Sequence, residues 1–405
     1  MSTRSFMMGT SPFFATPALF ADWRFENMDE KDLLSLHVDD FFGVPWSKFA
    51  TGPNPSNLPA NWLTRWTSLA NDAHASGKTL YLALSPLGDR KTLAPEVDAT
   101  TGAPVAHWAP HDANGCYPFS TDSNAALYKT AYINYAKYVI ALISPTYMSP
   151  AIEMNIQFTA CSAADKAAWI AWYTDVHTAL KIAFPNLIIF PTFQLEAMYG
   201  INDAQSEAAC PGGVAGDNCF DQRLSEALAI PADRIAFSTY PLTWKFKLPS
   251  YPTDTYVKVK TATSRKIWIS ETGWATVKIL ARYDHAGTGC GADFIPDTFA
   301  NDTESESYLR WLLGEAQRER FEAVIWWLNR DYLDGPVAAG CPCSGTNDTC
   351  TLTENFYNAG GGGATGAAVE IALRLFANMA LHRYDTSPRP ADAIWRDYFN
   401  RRLSP

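Results

Sequence analysis

The chain has 405 residues, 47% of them hydrophobic and 13% aromatic, and a formal net charge of −10 at pH 7. That apolar share builds a large buried core and excludes a disordered chain. The acidic balance, with a pI near 5.2, argues against nucleic acid or an anionic membrane as partner. No stretch approaches the roughly 18 uninterrupted apolar residues of a membrane-spanning helix.

Taken in chain order, short apolar runs recur. They are "SFMMGTSPFF" (5–14), "LLSLHVDD" (33–40), "KTLYLALSPL" (78–87), "YMSPAIEMNI" (147–156), "NLIIFPTFQLE" (186–196), "RIAFSTYPL" (234–242), "KIWISETGW" (266–274) and "AVIWWLNRDY" (323–332). Helix-like segments separate most of them. Residues 58–76 align Trp62, Trp66, Leu69 and Ala73 on one face, with Gly77 to close the helix. Residues 163–184 carry Ile170, Val176 and Leu180 ahead of Pro185, and residues 303–320 open on a capping box of Thr303 and Glu306. The first crossover, 15–32, is poor in helix signal. Strand-like runs each followed by a helix or long crossover predict a single (β/α)₈ TIM barrel spanning residues 1–405, not an open doubly wound sheet. Its long βα loops would be 88–120, 275–302 and 333–363.

Eight cysteines, an even number, fall mostly in loop-like segments such as "CPGGVAGDNC" and "CPCSGTNDTC". Loop cysteines at such spacing point to disulfides and an oxidising compartment. Cys210–Cys219 is the one pairing expected from local loop closure. A zinc site in "CPC…C" is the rival reading; no histidine lies near it and no paired CxxC supports it. Sequons at Asn301 and Asn347 add weakly to a secreted assignment. The start "MSTRSFMMGT" lacks a charged segment followed by an apolar run, so either a leader has been removed ahead of it or the cysteines mislead.

In a TIM barrel the active site sits at the carboxyl ends of the strands, so a polar residue there is a site candidate. Glu271 ends the seventh run, on the side of Ile267 and Ile269 by period-two parity. Glu153 ends the fourth, with Asn155 on the same side if the strand continues. Two such glutamates suit glycoside hydrolysis: one protonates the leaving oxygen and the other attacks the anomeric carbon, with carboxyls roughly 5–5.5 Å apart for retention. Glu196, ending the fifth run, is the other candidate acid. Asp39 tops the second run, placed to hydrogen-bond hydroxyls. Trp46, Trp244 and Trp274 are candidate sugar-stacking surfaces, since an aromatic ring suits the apolar face of a pyranose. A helix cap, a salt bridge or plain core packing would explain each of these residues equally well in isolation.

"WISETGW" resembles the nucleophile segment of clan A glycoside hydrolases, particularly endo-β-1,4-galactanases and plant-type endo-β-1,3-glucanases. "AFSTYPL" is similar to their strand-six segment, whose tyrosine contacts the nucleophile, here Tyr240. "IWWLN" is similar to the strand-eight segment that sets a tryptophan beneath the sugar, here Trp327 ahead of Trp326. The resemblance implies Glu271 as nucleophile and Glu153 as acid/base. One position departs: the family places asparagine directly before the acid/base, where this chain has Ile152, with Asn155 two residues after the glutamate.

Other classes fit less well. There is no HxH or HExxH for a metal hydrolase and no GxSxG elbow for a serine hydrolase. No glycine-rich phosphate loop suggests a nucleotide. A non-catalytic carbohydrate-binding barrel is the alternative, since the missing asparagine is what a decayed site would show. The sequence thus reads as a secreted, monomeric, cofactor-free retaining β-glycoside hydrolase, endo-acting on a polysaccharide, with no metal.

Overall fold

The computed structural model describes residues 3–11, 28–88, 90–105, 108–201, 210–213, 215–242, 252–277, 279–280, 293–295, 298–331, 376 and 378–404. Each of the eight apolar runs contains a strand: β1 (Met7–Ser11), β2 (Leu33–Asp39), β3 (Thr79–Leu84), β4 (Tyr147–Ser149), β5 (Ile188–Ile189) with β6 (Thr192–Gln194), β7 (Arg234–Thr239), β8 (Lys266–Thr272) and β9 (Ala323–Trp327). The fifth run splits in two because Pro191 has no N–H to give to a ladder.

The chain divides into two compact units, Leu34–Ser238 and the combination of Met1–Leu33 with Thr239–Pro405. Both boundaries fall inside strands, β2 and β7. In the unit Leu34–Ser238 the strands run in the order β5-β4-β3-β2, and β6 neighbours β7. The pairings are parallel, with Tyr81 opposite Tyr147, Tyr147 opposite Ile188 and Phe193 opposite Phe237. Along β2 every residue is buried, as expected of a parallel strand covered on both faces. In the other unit β9 lies between β1 and β8, parallel to both, with Ile325 opposite Gly9 and Val324 opposite Ile269.

Two helices bury four of the chain's 14 tryptophans, Trp62, Trp66, Trp169 and Trp172. Helix α1 (Ala60–Ala75) buries Trp62, Trp66, Leu69 and Ala73, the face its spacing predicted. Helix α2 (Ala125–Ile143) adds Tyr132 and Tyr135, and helix α3 (Ala163–Ala183) adds Trp169 and Trp172. Their rings interlock: Trp62 lies 6.0 Å from Trp66, and Tyr132 5.4 Å from Trp172. Each such ring removes a large apolar area from water, stabilising the unit by about 2–3 kcal/mol. In α3, Trp169, Trp172 and Tyr173 carry the buried face with Val176 and Leu180, while Ile170 is only half-buried.

Helix α4 (Asp302–Arg318) is capped two residues earlier than its expected capping box. Its cap is Asn301, whose Oδ1 accepts from the Glu304 N–H at 2.9 Å. Asparagine outranks threonine as a cap, which explains the shift from Thr303. It also gives the sequon residue Asn301 a structural task.

Two disulfides are present among the described residues. Cys210–Cys219 is the one expected; Cys116–Cys161, 45 residues apart, was not singled out. Cys290, Cys341, Cys343 and Cys350 lie outside the described residues, as do Asn347 and the "CPC…C" motif. Loop 88–120 is not structureless. It forms two short antiparallel pairs, Leu87–Gly88 with Thr92–Leu93 and Glu96–Val97 with Pro104–Val105. Among the described residues no helix is long and apolar enough to cross a membrane.

Candidate active site

In the unit Leu34–Ser238 the polar residues gather around Glu153. The expected strand through Asn155 does not form. β4 ends at Ser149, and the chain turns at Pro150 to lie against Thr192 of β6. Thr192 N–H bonds the Ala151 carbonyl at 2.9 Å, and Met154 N–H bonds the Thr192 carbonyl at 3.0 Å. Glu153 N–H donates to Thr192 Oγ1 at 2.8 Å. Glu153 therefore takes a left-handed backbone, φ +45°, so that turn geometry rather than strand parity aims its carboxylate.

That carboxylate is buried and well held. Ser238 Oγ, at the end of β7, donates to Oε1 at 2.5 Å, and Arg90 Nε donates to Oε2 at 3.0 Å. The same guanidinium clasps both oxygens of Asp39 at 2.9 and 2.7 Å. Arg90 and Asp39 are also left-handed, at φ +63° and +55°. Left-handed backbone is uncommon in arginine and glutamate, and such strain, about 1–3 kcal/mol per residue, gathers at functional sites. One arginine thus neutralises two carboxylates that would otherwise repel. Beneath them His37 is buried, its imidazole pushed down to about 4 by burial, with Arg90 adding to that effect and Asp39 opposing it.

Asn155, expected beside the glutamate, instead begins a short helix and exchanges two hydrogen bonds with the Gln194 backbone, at 2.9 and 2.7 Å. Its amide ties this helix to β6. Glu196 is completely buried in a one-turn helix, Leu195–Met198. Trp46 is interior as well, 1% exposed. Its indole N–H donates to the Ala94 carbonyl at 2.8 Å, and its ring lies 6.1 Å from that of Tyr132. As a core residue it presents no stacking face.

In the other unit Glu271 closes β8. Its Oε2 accepts from the Tyr240 hydroxyl at 2.8 Å, the contact expected of that pair. The ladder to β9 slips here: Ile269 faces Val324, but Thr272 faces Trp326, so one extra residue is inserted at Ser270–Glu271. Such a bulge re-aims a side chain at the end of a strand. It replaces simple parity as the reason for Glu271's orientation.

The Thr-Gly-Trp sequel is architectural. Thr272 Oγ1 donates to the Thr239 carbonyl at 2.7 Å and meets the Tyr308 hydroxyl at 2.6 Å. A Cβ on Gly273 would stand 2.8 Å from the Trp327 carbonyl oxygen and 2.4 Å from Met379 Sδ, so only glycine fits. Trp274 is 4% exposed, its N–H bound to the Phe299 carbonyl at 2.9 Å. It braces the turn rather than offering a face. Trp326 gives its N–H to the Met379 carbonyl, whereas Trp327 packs 5.8 Å from Phe376, a ring that also touches Tyr240. The peptide joining Trp327 to Leu328 is cis. Trp244 lies outside the described residues.

Sequence reasoning missed Arg90, which stands in no motif, and Ser238, which lies within "AFSTYPL" two residues before the tyrosine singled out there. Both are legible only once β2, β4 and β7 bring distant segments to one carboxylate.

No protein-family model matches the chain, and no curated protein matches it in sequence. Solved structures do match it in fold. A GH53 catalytic domain from Ignisphaera aggregans is 15% identical, covers 99% of this chain and 97% of its own, and superposes with a TM-score of 0.51. A GH5_18 enzyme from Bifidobacterium longum subsp. infantis is 12% identical over 100% of this chain and 80% of its own, with a TM-score of 0.54. The exo-β-1,4-mannosidase Op5Man5 from Opitutaceae bacterium strain TAV5 is 13% identical over 98% of this chain and 59% of its own, with a TM-score of 0.53. These are clan A glycoside hydrolases, and the fold this chain shares with them is the (β/α)₈ barrel.

Proposed function

We propose that the chain is a retaining β-glycoside hydrolase that cuts within a β-linked polysaccharide of the galactan or glucan type, and that residues 1–405 act as one catalytic domain. Glu271 is the nucleophile and Glu153 the acid/base. Tyr240 holds the nucleophile's carboxylate, and Trp327 supports the sugar at the cleavage point. Asp39 serves through Arg90, as a positioning residue for Glu153. The reading carries over no role for Trp46, Trp274 or Asn155 in binding sugar, and it leaves Glu196 as the alternative acid.

The observation that carries this reading is the Tyr240–Glu271 hydrogen bond at the end of a bulged β-strand. A tyrosine hydroxyl there stabilises the ionised carboxylate in the resting state and can follow it once it becomes an ester. The fold shared with a GH53 catalytic domain and an exo-β-1,4-mannosidase supports a β-linked substrate. The disulfides suit an extracellular enzyme, and nothing in the proposed chemistry needs a cofactor, a second subunit, nucleic acid or a membrane.

The test is a screen of the purified chain against β-galactans, β-glucans, β-mannans and xylans, with product sizes and anomeric configuration followed by NMR. Oligosaccharides released with the β-configuration retained are the expected outcome. Binding without any cleavage, unchanged in Glu271→Gln, would instead make this a carbohydrate-binding barrel.

A further inference from the structure

Within the unit formed by Met1–Leu33 and Thr239–Pro405, an N-terminal segment and two neighbouring C-terminal segments bring ligand-type side chains to one buried point. Glu30 ends a 3₁₀ turn (Met28–Glu30). His382 lies in the stretch following Met379, and Asp392 sits in the first turn of helix α5 (Pro390–Phe399). All three are buried, at 6%, 5% and 4% exposure, and one ligand atom from each lies within 4.8 Å of the others. His382 Nε2 stands 3.6 Å from Asp392 Oδ1, and the ring also hydrogen-bonds the Asn329 backbone. That second contact is how a metal-binding imidazole is usually oriented.

The carboxylates are satisfied on one side only. Arg396 takes the outer oxygen of each, Glu30 Oε1 and Asp392 Oδ2. The inner oxygens, Glu30 Oε2 and Asp392 Oδ1, are buried and receive no donor from any third residue; they are satisfied only if one carboxyl is protonated and donates to the other. An unsatisfied buried carboxylate oxygen is costly, typically about 1–3 kcal/mol or more, and here two of them sit beside an imidazole nitrogen. The neighbouring cations do not fill the gap. Arg396 is engaged on the outer oxygens, and the buried Lys31 gives its ammonium to Asn329 Oδ1 at 3.0 Å.

We propose that Glu30, His382 and Asp392 form a binding site for a divalent transition-metal ion of the zinc class, with one position left for water. A nitrogen and two carboxylate oxygens are a donor set such an ion accepts. The ion would join the segment leading into β2, the segment after Met379 and α5 into one cross-link, stabilising the fold through mass action. It shares no residue with the hydrolytic roles assigned above and stands independently of them. No local motif announces it, because Glu30 stands hundreds of residues before His382 and Asp392. The competing occupant is a single proton shared between the two carboxyls.

Zn²⁺ is the probe. The full chain is stripped with chelator, dialysed and titrated with ZnCl₂ by calorimetry, with bound metal counted by elemental analysis and melting temperature recorded. Wild type should bind one equivalent and melt higher with it. Glu30→Gln and the near-isosteric Asp392→Asn, each checked for native near-ultraviolet dichroism, should lose both the binding and the thermal shift. His382→Gln should do the same. If any of these variants is unfolded, Co²⁺ added to the wild type still reports the site through its d–d absorption, which must indicate nitrogen and oxygen ligands without sulfur. Failure of wild type to bind either metal, or undiminished binding in the folded variants, would overturn the proposal in favour of the shared proton.

Discussion

Each proposed catalytic glutamate is defined by the partners its own unit supplies. Glu271 is held by Tyr240, and Glu153 by Ser238 and Arg90. If the roles are as assigned, the two alanine variants fail differently. Glu153→Ala should lose about 10²–10⁴-fold in turnover on natural substrate, the range of a lost acid/base. Azide should then rescue it on substrates with good leaving groups and yield the β-glycosyl azide. With Glu271→Ala, azide replaces the carboxylate itself, so the α-azide is expected. The opposite stereochemistry would swap the roles, and rescue of Glu196→Ala would move the acid/base to that residue. His37 makes a separate prediction. Its native pKa of about 4 lies below the ordinary value near 6.5, so the unfolded chain takes up a proton that the folded chain refuses. Its contribution is complete above pH 6.5 and is lost as pH falls toward 4, by about 3 kcal/mol in all. Urea denaturation at pH 7 and pH 4.5 should show this loss in wild type and a flatter dependence in His37→Gln. An identical slope in both would refute it.

Elements are where the sequence patterns and the finished geometry part company. Helix α1 follows its apolar spacing closely, because a helix face is a local property. β4 does not follow its parity, because Thr192 offers the chain after Pro150 a better set of hydrogen bonds than strand continuation would. The turn after β8 shows the same dependence on neighbours. Gly273 lies against the Trp327 carbonyl and Met379, contacts that no reading of "ETGW" could supply. Gly273→Ala should therefore cost about 1–3 kcal/mol by overpacking, and displacement of the preceding Glu271 should lower kcat more than it raises KM. Chemical denaturation with steady-state kinetics would check both. A fully stable and active variant would show the turn to be looser than described.

At the scale of the whole molecule, the two disulfides differ in what they constrain. Cys116–Cys161 closes a 45-residue separation and Cys210–Cys219 one of 9. By loop-closure entropy the first should stabilise by about 4 kcal/mol and the second by about 2.5 kcal/mol. The paired substitution Cys116→Ala with Cys161→Ala should then depress the melting temperature more than Cys210→Ala with Cys219→Ala. Alkylation of the native protein without reductant, followed by mass spectrometry, should leave these four cysteines unmodified. Four alkylated positions there would remove the argument for an oxidising compartment.

The alternation of eight apolar runs with amphipathic segments determined the barrel class, because burial on both faces of parallel strands writes itself into composition. The Tyr240–Glu271 contact and the Cys210–Cys219 closure were legible for a similar reason: each depends on a short segment or its place in the strand count. Tertiary structure alone decided the rest. It withdrew Trp46 into an aromatic core, turned Asn155 to the Gln194 backbone and set Arg90 between Asp39 and Glu153. It also gathered Glu30, His382 and Asp392 around one point. These outcomes are contacts between residues distant in sequence, and their energies depend on distances and desolvation that exist only after the chain has packed.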